Sequence, residues 1–134
     1  MGIIKAGACI YLPDIGKEDE YHLHVVLNDP VGHPPTVALV SLSTTIDADK
    51  TTILNVGDHS FIDEETYVVY AWMVWKHVEK LEADILADMS KKHRHNCSPE
   101  LLKRIQDGIF ESSHTRPSAE KYCRKALNRP IVGY

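Results

Sequence analysis

The sequence predicts an α+β fold, with strands over roughly residues 1–75 and helices over residues 76–134. Three observations carry that expectation. Residues 66–75, Thr-Tyr-Val-Val-Tyr-Ala-Trp-Met-Val-Trp, are almost all β-branched or aromatic, the composition of a strand. Immediately afterwards the period changes: Val78, Leu81, Ile85 and Met89 recur at helical spacing among charged residues. Then Ser98-Pro99-Glu100 combines a capping side chain, proline at the first helical position and an acid in the first turn, which starts a second helix. Several short strands ahead of two or three helices imply a small barrel of about five or more strands followed by C-terminal helices, all in a single domain spanning residues 1–134.

Each element has its own signal. Residues 3–12 read as a first strand interrupted near Gly7, and residues 21–27 as a second, closed by the turn Asn28-Asp29-Pro30. In residues 36–42, Val37, Leu39 and Ser41 share one face and Ala38, Val40 and Leu42 the other, so both faces are expected to be buried. Residues 51–54 form a short fourth strand, and Gly57-Asp58 a turn. The run 66–75 is long for one strand and is expected to bend, with Trp72 and Trp75 in the core. Residues 91–96, Lys-Lys-His-Arg-His-Asn, end the first helix with cations, as the helix dipole favours. Leu101, Leu102, Ile105 and Ile109 are the apolar face of the second helix, and a third covers about residues 117–127.

Charge is divided along the chain. Residues 1–75 hold three basic and eleven acidic residues, a net of −8, whereas residues 76–134 hold twelve and eight, a net of +4. An acidic strand half repels phosphates; only the helices offer a basic patch, through Lys91, Lys92, Arg94, Lys103 and Arg104. The three cysteines, Cys9, Cys97 and Cys123, are an odd number without a pairing motif, so no disulfide framework is expected. Residues 1–13 carry no leader signature and no stretch is apolar enough for a membrane span, which places the expectation in the cytoplasm.

Eight histidines raise the question of a metal. No histidine–cysteine spacing matches a zinc motif, so neither metal nor cofactor is expected, although a histidine-metal hydrolase stays as one alternative. His22 and His24 alternate along a strand and share a face. In Gly57-Asp58-His59-Ser60 an imidazole stands beside a carboxylate and a hydroxyl, either as an acid–base group or simply as part of a tight turn. The hydroxyl cluster Ser41 to Thr45 ends a strand, where both sites and capping side chains are common. No nucleophile elbow and no phosphate-binding glycine loop occur.

The run His22-Leu23-His24-Val25-Val26-Leu27-Asn28-Asp29 resembles the strand and Asn-Asp turn of PemK/MazF-like toxins, and Val37 to Ser43 resembles their next strand, which ends in Thr or Ser. The resemblance covers roughly residues 3–110 at pattern level. It implies an SH3-like barrel, a homodimer, cleavage of single-stranded RNA and restraint by an antitoxin protein. It also implies that Ser43 occupies the catalytic Thr/Ser position, and Tyr21 or His22 that of the catalytic arginine. The resulting expectation is a toxin-like endoribonuclease with His22, His24, Ser43 and His59 as catalytic residues converging on one cleft. Its rival is a non-catalytic barrel that binds a protein partner. The convergence depends on register. If the strands of residues 21–27 and 36–42 pair so that opposed residue numbers sum to about 64, Ser43 faces Tyr21; a shift by one brings His22 and Ser43 onto one face.

Overall fold

The computed structural model describes residues 3–14, 17–45, 48–87 and 93–130. Its elements run β1 (Cys9–Asp14), β2 (Lys17–Val26), β3 (Thr36–Ser43), β4 (Ile53–Leu54), β5 (Thr66–His77), α1 (Val78–Ala87), β6 (His93–Arg94), α2 (Pro99–Glu111) and α3 (Pro117–Ala126). The strands form one antiparallel sheet in the order β4-β5-β3-β2-β1-β6. The α+β expectation holds, and no helix falls within residues 66–74.

Three expectations about elements are corrected. Residues 3–7 are a turn rather than strand: Gly7 sits at φ 91°, a conformation open to glycine, and Ala8 N donates to Lys5 O at 3.0 Å. The chain therefore enters the sheet only at Cys9. The first helix does not end in the cations of residues 91–96. Its described part is Val78–Ala87, with no basic residue in its last turn, and His93–Arg94 lie in the sheet as an edge strand on β1. Strand residues therefore also occur in the half expected to be helical; Met89, Lys91 and Lys92 lie outside the described residues. Trp72 and Trp75 are 39% and 41% exposed rather than core. Trp75 instead stacks on Tyr122 of α3, with ring centroids 5.4 Å apart.

The bend in β5 has a visible cause. Ser41 pairs with Val69 but Leu39 pairs with Val74, so residues 70–73 stand opposite Val40 alone. Such a bulge adds residues to one strand only and bends it. It also resets side-chain parity. Val68 before it, and Tyr70 and Met73 at its two ends, all reach the same core although Tyr70 and Met73 are three residues apart.

The alternation within β2 and β3 builds a core on each face of the sheet. Leu23, Val25, Leu27, Ala38, Val40 and Leu42 point to the face covered by α2 and α3, where they meet Leu101, Ile105, Ile109, Ala119 and Cys123. Val26, Val37 and Leu39 point to the other face with Ile10 and Leu12, under Leu81 of α1. The helix α2 is seated by a polar contact inside the first core. Tyr70 Oη–H donates to Ile105 O at 2.8 Å, which leaves the Thr52 hydroxyl to donate to Tyr70 Oη at 2.7 Å. Gly108 leaves room for that pair, because a Cβ there would overlap both hydroxyl oxygens.

Candidate functional site: an aromatic cleft at the strand ends

The β2–β3 register decides where the histidines and serines go. His24 lies opposite Ser41, Val25 opposite Val40 and Val26 opposite Leu39, so opposed numbers sum to 65. By alternation His22, His24, Ser41 and Ser43 share one face. On β1 the partners of His22 and His24 are Leu12 and Ile10, so this is the face of the second core. His24 is 7% exposed and its Nδ1–H donates to the His22 carbonyl at 2.9 Å. Ser43 is 2% exposed and its hydroxyl oxygen accepts the Thr45 N–H at 3.2 Å. Ser41 is 1% exposed, and its hydroxyl has no hydrogen-bond partner among the described residues. A row of polar groups is thus inserted into an apolar layer, and His24 and Ser43 are closed to solvent.

His59 does not join them. Phe61 N–H donates to its Nδ1 at 3.0 Å, so Nδ1 carries no proton, and the Nε2–H donates to the His95 carbonyl at 2.5 Å. Both ring nitrogens are spent on the backbone. The same turn has Gly57 at φ 101°, and Asp58 accepts from Asn55 N at 2.7 Å. Asp58 also pairs with Arg104 at 3.4 Å. Gly57-Asp58-His59 therefore acts as a turn that pins β4's exit to the segment before α2. Its neighbour Phe61 packs on Tyr11, whose register partner Leu23 belongs to the first core.

An open cleft lies where the sequence carries little signal. Tyr11 and Tyr21 are diagonal neighbours across β1 and β2, stacked at 5.3 Å with their planes 21° apart. Phe61 closes on Tyr11 at 5.9 Å and 47°. With the buried Leu23, Leu42, Ile62 and Thr66 behind them, and with His22, Thr44 and Asp63, these rings line a cleft of about 270 Å³; His22 is the one predicted catalytic residue in that lining. Tyr21 stood out only through the family resemblance; Tyr11 and Phe61 did not stand out at all. The available signal was the placement of Tyr11 and Tyr21 on one face of adjacent strands, which becomes readable only once the β1–β2 register is known. Aromatic faces of this kind receive flat groups by stacking and cations through their quadrupoles.

Among the described residues, no group of three or more histidine, cysteine or acidic side chains is placed to hold a metal ion. None of the described helices is long and apolar enough to cross a membrane. Comparison of the chain with protein-family models, with curated proteins and with solved structures finds no match.

Proposed function

We propose that the chain is a binding module, and that its aromatic cleft receives a basic segment of a protein partner. The observation that carries this reading is the three-ring cleft of Tyr11, Tyr21 and Phe61 with the exposed carboxylate of Asp63 at its margin. It sits in the half of the chain whose net charge is −8. An arginine or lysine entering there lays its apolar stem along Leu23 and Leu42 and its cation over a tyrosine face. One such contact supplies about 0.5–2 kcal/mol, and an exposed ion pair at most about 1 kcal/mol. A micromolar complex needs about 8 kcal/mol, so the ligand is a segment several residues long that also buries apolar surface beside the cleft.

The toxin-like endoribonuclease, with single-stranded RNA as substrate, an antitoxin partner and a homodimeric state, is the second reading. The shared sheet face of His22 and Ser43 favours it, as does a tyrosine pair able to stack on bases. Weighing against it are the burial of His24 and Ser43 and the backbone bonds of His59. Moreover, two cations expected to form a basic patch are paired: Lys103 with Asp107 at 2.9 Å and Arg104 with Asp58.

Anisotropy titrations with a labelled arginine-rich peptide and with a labelled single-stranded RNA separate the two readings. The peptide is expected to bind, with Tyr21→Ala weakening it by about tenfold and Asp63→Asn by at most about fivefold, and the RNA to remain intact from acid to alkaline pH. RNA cleavage by the wild type that is lost in His22→Ala would overturn the binding-module reading and establish the nuclease.

A further inference from the structure

Cys9 and Cys97 are 88 positions apart in sequence, yet their sulfurs stand 3.5 Å apart. Both are free thiols, Cys9 buried in β1 and Cys97 half-buried. The contact is held by backbone, since Cys97 N–H donates to Gly7 O at 2.9 Å, two residues ahead of Cys9. Cys97 also immediately precedes Ser98, the cap of the 13-residue helix α2, whose N-terminal dipole favours a thiolate. A disulfide requires about 2.05 Å between sulfurs, so the two must close by about 1.5 Å to bond.

We propose that Cys97 and Cys9 form a peroxide-responsive dithiol, with Cys97 as the attacking thiolate and Cys9 as the resolving thiol. The Cys97 thiolate attacks one oxygen of a hydroperoxide; an S–O bond forms, the O–O bond breaks, and the alcohol or water leaves with a proton from solvent. Cys9 then gives up its proton and attacks the Cys97 sulfur; the S–S bond forms, the S–O bond breaks, and the hydroxide departs as water with that proton. Two thiols and one hydroperoxide thus become one disulfide, one alcohol or water, and one water.

The local electrostatics order these steps. The hydrogen bond from Cys9 lowers the Cys97 thiol below its ordinary value despite burial. The same bond, together with burial and the nearby Cys97 charge, raises Cys9 strongly. Conversion of Cys97 to a neutral sulfenic acid removes that charge, one of the causes that hold the proton on Cys9. Cys123 is pushed up to about 12 by burial and stays outside the reaction. The product ties β1 to the entry of α2, next to the two-residue pairing of β6 on β1.

The reduced full-length chain is treated with one equivalent of hydrogen peroxide, then unfolded, alkylated and mapped by mass spectrometry. The expected result is a Cys9–Cys97 cross-linked peptide that dithiothreitol reverses, with Cys123 alkylated. The thermal midpoint of the oxidised chain is expected to rise by about 10 °C. In Cys9→Ser, Cys97 should stop at a sulfenic acid that dimedone traps. Three results overturn the proposal: Cys97 over-oxidised while Cys9 remains alkylated in the wild type, a disulfide between two chains, or both thiols untouched. The wild-type peptide map decides the matter even where a cysteine variant fails to fold.

Discussion

A single buried polar side chain here often replaces a backbone partner that the sheet or helix does not supply. Asn28, 1% exposed, accepts the Ala38 N–H at 2.8 Å and donates to the Asp29 carbonyl at 2.9 Å. Its place in a turn was legible from Asn-Asp-Pro; its acceptor role across ten residues was not, because that depends on where β3 returns. Gly108 is similar. In an ordinary helix interior, Gly→Ala stabilises by about 1 kcal/mol. Here the added methyl overlaps the Tyr70–Thr52 hydroxyl pair, so Gly108→Ala is expected to destabilise by about 1–3 kcal/mol in chemical denaturation. Asp49 carries a pH dependence. Burial alone would raise its carboxyl, but hydrogen bonds from Ser112 and Thr51, with His114 nearby, hold it below the ordinary value. The folded chain thus binds this proton more weakly than the unfolded one. The stabilisation is complete above the unfolded pKa of about 3.9 and is lost as pH falls through the lower folded value. Asp49→Asn should therefore be less stable than wild type at neutral pH by about 1–3 kcal/mol, with the gap narrowing below pH of about 4. A gap that widened in acid would contradict the assignment.

At the scale of elements, start and stop signals written in local chemistry were readable. Ser98 accepts the Leu101 N–H at 3.1 Å with Pro99 behind it, as that triplet implied. The run of β-branched and aromatic residues became β5, and Pro117 opened α3. What local chemistry does not encode is how strands slide against one another. A pairing sum of 64 would set His24 against Val40; the observed 65 sets Val25 against Val40 and Val26 against Leu39, so that each core meets its own kind. The β5 bulge and the return of β6 are likewise consequences of closing the sheet around two cores. The helix α1 covers the second core through Leu81, its one buried residue, with Val78 and Ile85 half-buried beside it. Leu81→Ala should cost about 2–5 kcal/mol by urea denaturation. An exposed control on the same helix, Leu86→Ala, should change stability by less than about 0.5 kcal/mol. Comparable losses from both would mean that α1 is not the lid of that core.

The candidate site shows the same divide at the level of the whole molecule. Residue types suited to acid–base work were visible in the sequence, but burial and hydrogen bonding are properties of the assembled sheet, and these closed off His24 and Ser43 and tied down His59. The aromatic cleft arises where β1, β2 and the turn before β5 come together, and so belongs to no single segment. Two cores on opposite faces of one sheet also bear on how the chain unfolds. They share no buried side chains, which by itself suggests two units able to melt separately. The strands argue otherwise. Val25 and Val26 are neighbours in β2, and Leu39 and Val40 in β3, yet each pair contributes one residue to each core. Removing α1 from its face exposes Val26 and Leu39 but leaves β2 and β3 paired, whereas separating β2 from β3 destroys both cores at once. The sheet therefore couples the two layers more tightly than either helix couples to its own layer. Equilibrium unfolding in urea is expected to be one cooperative transition, with coincident midpoints from far-ultraviolet circular dichroism and from the fluorescence of Trp72 and Trp75 on β5. Trp75 stacks on Tyr122 of α3 and so reports the first-core side, while circular dichroism reports all helices, α1 included. If the dichroism loses amplitude before the fluorescence moves, α1 and the second core open independently, and the shared strands do not bind the two layers into one unit.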